Sequence, residues 1–239
     1  MDTTAQQKVI VIGGISGGIG SALAKLCEES GHTVVGFSRR SSEAVDATDP
    51  SALDAFIGKI QTEHGRIDAY VHAIGSIFLK PAHLTNDEDW IQTIQTNLSS
   101  AFYALRACTK RMQKQGSGCC LFFSTTAAQV GIANHEAIAA AKGGIEAMVR
   151  SAAATYAPRG LRINAIAPSL TDTHLAQPLI GSPQGLEISK RMHPLGDIMH
   201  AEQVASLAHW LISDAAAGVT GQTFVMDGGL SSIVPKPRA

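Results

Sequence analysis

Short runs rich in Val and Ile, each followed by a longer stretch of helical spacing, recur along this chain and restrict its fold more than any other feature. The runs are KVIVIGG, HTVVGFS, IDAYVHAIG, GCCLFFST, LRINAIAP and QTFVMDGG. Near-continuous apolar strands alternating with helical crossovers belong to a parallel sheet covered on both faces. The expected class is α/β, a doubly wound parallel sheet. Helices are expected over about residues 18–30, within 87–115, over roughly 135–156 and over 201–213. In the second of these, Trp90, Ile91, Ile94, Leu98, Phe102, Leu105 and Met112 fall near helical spacing. The least regular stretch, 168–197, holds Pro168, Pro178, Gly181, Pro183, Gly185, Pro194 and Gly196. It reads as a mobile substrate loop over a pocket.

The 239 residues contain no polar low-complexity linker, so residues 1–239 are read as one domain. The chain is 16% charged with a net charge of −1, which gives nucleic acid and membrane surfaces nothing to hold. A small-molecule partner fits better. Met1 to Gln7 is polar and does not read as a secretory signal, and no stretch is long and apolar enough to span a bilayer. Cys27, Cys108, Cys119 and Cys120 lack zinc or redox spacing and read as reduced, buried thiols of a cytoplasmic protein. The nine histidines form no ligand cluster, so no metal is expected.

Chemistry enters at GGISGGIGSA, directly after the first strand and at the start of a helix. Gly14, Gly18 and Gly20 let backbone approach a ligand closely, and the free N–H groups at the helix start suit a phosphate. Ser16 and Ile19 belong to the same turn. Glycine-rich turns also serve packing alone, so the position after strand one is what gives this one weight.

The spacing G-x-x-x-G-x-G resembles the short-chain dehydrogenase/reductase family, and the resemblance runs along essentially the whole chain. IDAYVHAIG is similar to the family's D-x-L-V-N-N-A-G, with His72, Ala73 and Ile74 in place of N-N-A and Gly75 kept. QTNLSSAF resembles the segment bearing the family's active-site asparagine, here Asn97. LRINAIAPSLTDT and VTGQTFVMDGG resemble two further family motifs. The resemblance implies a Rossmann-type fold that binds a nicotinamide dinucleotide, with Ala73, Gly75, Pro168, Thr171 and Thr173 among the cofactor residues. Asp46 resembles the family's aspartate beside the adenine. Only five residues separate it from Arg40, so the usual intervening helix and strand are strongly shortened.

The choice of dinucleotide follows from charge. Where NAD sites commonly end strand two with an acid, this chain has Ser38, Arg39 and Arg40. A hydroxyl and guanidinium groups can bind the additional phosphate that a carboxylate would repel. NADP(H) is therefore expected over NAD(H), although two arginines in a solvated turn would look the same.

By resemblance the catalytic positions are Asn97, Lys142 and Thr125, the last with Ser124 and Thr126 as close competitors. The family's tyrosine, four residues before the lysine, is Ile138 here. A positioned acid contributes ~10²–10⁴-fold, so an ordinary carbonyl reductase loses about that much. Tyr70, Tyr103 and Tyr156 read as packing residues. A second family frame, that of enoyl reductases, puts a tyrosine seven residues before the lysine, and here that place is His135. Steps of four and seven return to within about 40° of one helix face, so His135, Ile138 and Lys142 can share a stripe. Histidine can donate a proton near neutral pH, but it can also merely stand at a helix start, with Asn134 as the N-cap. Two functions remain open. One is an NADP(H)-dependent oxidoreductase with atypical proton donation; the other is a catalytically lapsed binding protein, a sensor or assembly partner. Small residues along 136–157 permit close helix approach, and the resemblance implies a homo-oligomer, a tetramer or else a dimer.

Overall fold

The computed structural model describes residues 7–234; the polar stretch read as no signal therefore lies almost wholly outside the described residues. The chain runs β1 (Val9–Gly13), α1 (Gly18–Glu29), β2 (Thr33–Phe37), α2 (Pro50–His64), β3 (Ala69–His72), α3 (Asp87–Ile94), α4 (Ser100–Gln115), β4 (Gly118–Phe123) and α5 (Glu136–Tyr156). It continues through β5 (Leu161–Pro168), β6 (Thr171–Asp172), α6 (Gln177–Ile180), α7 (Pro183–Arg191), β7 (Met199–His200), α8 (Ala201–Ile212) and β8 (Thr223–Met226). Six strands form one sheet in the order β2-β1-β3-β4-β5-β8, every pair parallel. The chain leaves β1 toward β2 and returns to the other side of β1 as β3. That reversal opens a crevice at the carboxyl ends of β1 and β3, the usual ligand position in such sheets.

Two apolar layers sandwich the sheet. Leu53, Phe56, Ile57 and Ile60 of α2 pack with Ala104, Cys108 and Met112 of α4 and Ile145 and Val149 of α5 on one face. Leu23 and Cys27 of α1 pack with Val204, Ala208 and Leu211 of α8 on the other. All four cysteines are free and buried.

Three features depart from the sequence reading. Helix α2 was not expected, although Asp49 caps it through the amides of Ser51 and Ala52, Pro50 opens it, and its apolar residues recur at helical spacing. The stretch 168–197 is not irregular: it carries β6, α6 and α7, and β6 pairs with β7 just beyond it. The long helix expected within 87–115 is interrupted by a π turn at Gln95–Ser99. Between Phe37 and Pro50 only an isolated Ser38–Ala44 bridge forms, so β2 is an edge strand, as the shortened sequence there anticipates.

A polar thread crosses the otherwise apolar layer beneath the crevice. Tyr70 Oη lies 2.8 Å from His72 Nδ1, His72 Nε2 lies 3.0 Å from Ser100 Oγ, and Ser100 Oγ donates to the Thr96 carbonyl at 2.7 Å. Because the serine proton is committed to that carbonyl, His72 donates from Nε2 and accepts the tyrosine proton at Nδ1. The thread ties β3 to the π turn.

His72 is fully buried, and burial, with Lys142 adding a smaller repulsion, lowers its pKa to about 3. The unfolded chain protonates this imidazole from its ordinary pKa of 6.5 downward while the folded one does not. Stability from this group is thus complete above about pH 6.5 and falls on acidification, with a slope of up to about 1.4 kcal/mol per pH unit. Urea unfolding at about pH 7 and about pH 5 is expected to give a lower midpoint in acid, with the difference reduced in His72→Asn. Equal pH dependence in the two proteins would contradict the assignment.

Candidate active site

The turn between β1 and α1 is shaped by three glycines. Gly14 has φ 84°, and a Cβ there would stand 2.6 Å from the Ala73 carbonyl oxygen at the end of β3. A Cβ on Gly20 would stand 2.3 Å from the Gly14 oxygen, and one on Gly18 2.6 Å from the Thr173 methyl. The turn, the exit of β3 and the segment after β5 can therefore meet only because these positions lack side chains. The start of α1 faces the resulting cradle with no side-chain cap on its amides. Backbone donors in a cradle of this depth fit the pyrophosphate of a dinucleotide.

The turn is also tied to the end of β2. Ser16 Oγ donates to Ser38 Oγ at 2.9 Å, and Ser38 Oγ accepts the Arg40 amide at 3.1 Å. Ser38 is buried, whereas Arg39 and Arg40 are exposed. The serine shapes this corner from beneath, and the guanidinium groups are its solvent-facing donors. Asp46 takes the amide and hydroxyl of Thr48 at 2.9 and 2.7 Å. Those bonds, helped by nearby Arg39, hold its carboxyl below the usual range.

Past the cradle, β3, β4 and α5 bring the remaining groups together. Lys142 is 7% exposed, and its ammonium donates to the Phe123 carbonyl at 2.9 Å. Burial pushes its pKa down to about 8. Asn97, in the π turn, accepts the Ser76 amide at 3.0 Å and donates to Ser76 Oγ and the Thr93 carbonyl at 2.9 and 3.0 Å. A Cβ on Gly75 would meet Asn97 Oδ1 at 3.0 Å and Lys142 Nζ at 3.4 Å, so the two side chains converge on that glycine. A π turn inside a helix commonly accompanies such sites. Neither the turn nor Ser76, which holds Asn97 from two directions, carries a sequence signal.

The three neighbouring hydroxyls differ in what they are free to do. Ser124 is buried and within reach of Glu146 Oε1 at 2.7 Å and the Lys142 carbonyl at 3.2 Å. Thr126 is buried near the Ala167 carbonyl and Asp227. Thr125 is half-buried and accepts only a long bond, 3.4 Å, from the Ala127 amide. Of the three it is the hydroxyl left to face a ligand.

Ile138 and Lys142 are buried on one side of α5 and line a cavity of about 490 Å³ that also reaches His135. The N-cap of α5 is His135 rather than Asn134, because Asn134 adopts a left-handed conformation with φ 65° and stands one residue outside. His135 Nδ1 lies 2.8 Å from the Ala133 carbonyl, so that nitrogen carries a proton and Nε2 is left free. Pro168, Thr171 and Thr173 line the same cavity, as do Ile19, Ala73 and Gly75. The segment 168–197 forms its outer wall and is anchored there: His193 donates from Nδ1 to the Ser189 carbonyl at 2.7 Å and accepts from Ser169 Oγ at 2.8 Å. Among the described residues no group of three or more His, Cys, Asp or Glu side chains is arranged to hold a metal ion, and no helix is long and apolar enough to cross a membrane.

Comparison with known proteins agrees with this geometry. A family model described as Enoyl-(Acyl carrier protein) reductase matches residues 14–231. The D-threitol dehydrogenase of Mycolicibacterium smegmatis is 31% identical, covering 93% of this chain and 92% of that protein. The 3-oxoacyl-(acyl-carrier-protein) reductase of Escherichia coli is 29% identical over 93% of this chain and 97% of its own. The aldohexose dehydrogenase of Thermoplasma acidophilum superposes with a TM-score of 0.90 at 28% identity, over 98% of this chain and 97% of that one. The chain belongs to the short-chain dehydrogenase/reductase family, whose members are nicotinamide-dependent oxidoreductases.

Proposed function

We propose that the chain is an NADP(H)-dependent oxidoreductase acting on a small or medium organic carbonyl, imine or enone, with a proton supply that does not use tyrosine. The observation that carries this reading is the convergence of Asn97 and Lys142 on Gly75, between the glycine cradle and the cavity. The presence of that pair beside the glycine cradle suits chemistry better than storage. When bound, the dinucleotide supplies or accepts the hydride.

Each residue then has a task. The amides of Ser16, Gly18, Ile19 and Gly20 hold the pyrophosphate, Arg39 and Arg40 the extra phosphate, and Asp46 the adenine side. Lys142 holds the nicotinamide ribose, while Ala73, Gly75, Pro168, Thr171 and Thr173 seat the nicotinamide half. Thr125 donates a hydrogen bond to the substrate oxygen, and Asn97 clasps the π turn to Ser76 beside Gly75. His135, or solvent entering past it, supplies the proton. Orientation of this kind carries a large share of barrier reduction without an acid.

With purified protein, NADPH oxidation is expected with some member of a panel of ketones, quinones, imines and enones. His135→Ala should lower kcat by up to ~10²-fold and flatten its pH profile. No turnover across the panel with NADPH binding intact would favour the second reading, a lapsed dinucleotide-binding sensor or assembly partner, which Ile138 motivates. Ile138→Tyr separates the two: gain of carbonyl reduction from nothing marks a lapsed enzyme, and loss of an existing activity marks a pocket that uses the apolar side chain.

The cofactor preference has its own test. Replacing Arg39 and Arg40 together with Ala should weaken NADPH at least ~10-fold and leave NADH nearly unchanged, in line with loss of charge-assisted phosphate bonds. Equal effects on both would overturn the preference. In the reducing cytoplasm, our reading of its location, the buried thiols stay reduced. Exposed Trp90, Ile91 and Phe102, together with the small exposed face of Ala140, Ala147 and Ser151, suit a homotetramer or else a dimer. A monomeric mass in light scattering would refute that assembly.

A further inference from the structure

The cavity walls identify a chemical class of substrate, an inference that rests on the oxidoreductase reading. Away from the strip assigned to the nicotinamide, the large lining side chains are apolar, among them Ile77, Ile132, Ile138, Leu175, Ile188 and Met192. They come from five separate segments, the β3–α3 connection, the β4–α5 connection, the start of α5, the turn before α6, and α7 with its end, so the apolar character belongs to the whole chamber.

The polar lining groups are almost all committed elsewhere. Ser76 is joined to Asn97, Ser124 to Glu146, Ser189 donates to the Gly185 carbonyl, and His193 is paired with Ser169 and the Ser189 carbonyl. Thr171 and Thr173 donate to the carbonyls of Ser169 and Thr171. Among the described residues the one lining Lys, Arg, Asp or Glu side chain, Lys142, is held by the Phe123 carbonyl and lies toward the cofactor end. What remains for a ligand is the hydroxyl of Thr125, which can donate to one carbonyl oxygen, and Nε2 of His135, which accepts in the neutral ring and donates to that oxygen only when the ring is protonated. A polyol or sugar would bring several hydroxyl groups into the chamber with few partners, and an anion would meet no permanently charged free cation.

A second observation concerns the mouth. Ile77, Leu175, Ile188 and Met192 line the cavity yet are 39%, 49%, 57% and 48% exposed. Four large apolar side chains clustered at one opening are unlike singly scattered surface residues, and a ligand lying across them would remove their surface from water. We infer that the substrate is uncharged and lipophilic, with a single carbonyl set against Thr125 and His135 and an apolar body that fills the chamber and leaves through its mouth. This differs from the polyol and sugar that the names of the Mycolicibacterium and Thermoplasma relatives give.

The test is calorimetric titration of the protein, with and without saturating NADPH, using methyl alkyl ketones of increasing chain length and, separately, threitol and glycerol. Ketone affinity should rise about fourfold per added methylene until the chamber is full, following the usual transfer free energy of a buried methylene. The polyols should not bind. Ile188→Asp, at an exposed helical position that folding tolerates, should weaken the longer ketones at least ~10-fold while leaving NADPH affinity alone. Chain-length-independent binding, or polyol binding tighter than that of the ketones, would overturn the inference. Failure of NADPH to bind would instead overturn the cofactor reading. The ketone series on the free protein would still decide this one, because the apolar walls exist without the dinucleotide.

Discussion

The contact on which the rest of the molecule depends is backbone against backbone: the turn after β1 pressed onto the end of β3. It exists because Gly14 holds a left-handed φ of 84° and because no side chain separates it from Ala73. Gly20 then lets the first turn of α1 sit on Gly14, next to the crevice where the strand order reverses. An alanine methyl at either place would need to occupy space closer than 3 Å to a peptide oxygen. The strand order alone creates a crevice. The glycines make it a place where amides are exposed to a ligand.

From that contact the chemistry is set by how β3 ends. Gly75 admits Asn97 and Lys142 to the same point, and the thread from Tyr70 through His72 and Ser100 holds the π turn that presents Asn97. A buried neutral imidazole in this thread is compatible with the nearby Lys142 ammonium only while it stays unprotonated, which its lowered pKa ensures. Lys142 in turn is desolvated enough to titrate near pH 8. Ile138, buried one helical turn before Lys142, presents apolar surface to the chamber wall and no hydroxyl. In the proposed reading one side chain both leaves the site without a phenol and extends an apolar pocket, which ties proton supply to substrate class.

The parallel sheet, its main strands and the glycine-rich turn were legible in the sequence because apolar runs, glycine spacing and helical periodicity are local signals. So was the shortened corner beside β2, from five residues between Arg40 and Asp46. Helix α2 was overlooked although Asp49, Pro50 and the spacing of Leu53, Phe56, Ile57 and Ile60 announce it. Other features have no local signal. The π turn, the clasp of Ser76 on Asn97 and the pairing of His193 with Ser169 depend on groups brought together by the fold. Thr125 was already the sequence choice, and the long-range partners of Ser124 and Thr126 are what leave it the freer hydroxyl. Proline and glycine in 168–197 suggested irregular chain, yet proline opens α7 and lies within the first positions of α6, where a missing N–H is harmless.

The central claim is that the glycine cradle holds a phosphorylated nicotinamide dinucleotide with its reactive end beside Gly75. A crystal structure of the protein grown with NADPH tests it most directly. The account predicts pyrophosphate oxygens on the amides at the start of α1, the ribose phosphate against Arg39 or Arg40, and the nicotinamide ribose on Lys142. A dinucleotide bound elsewhere, or a cradle still empty at saturating NADPH, would contradict it.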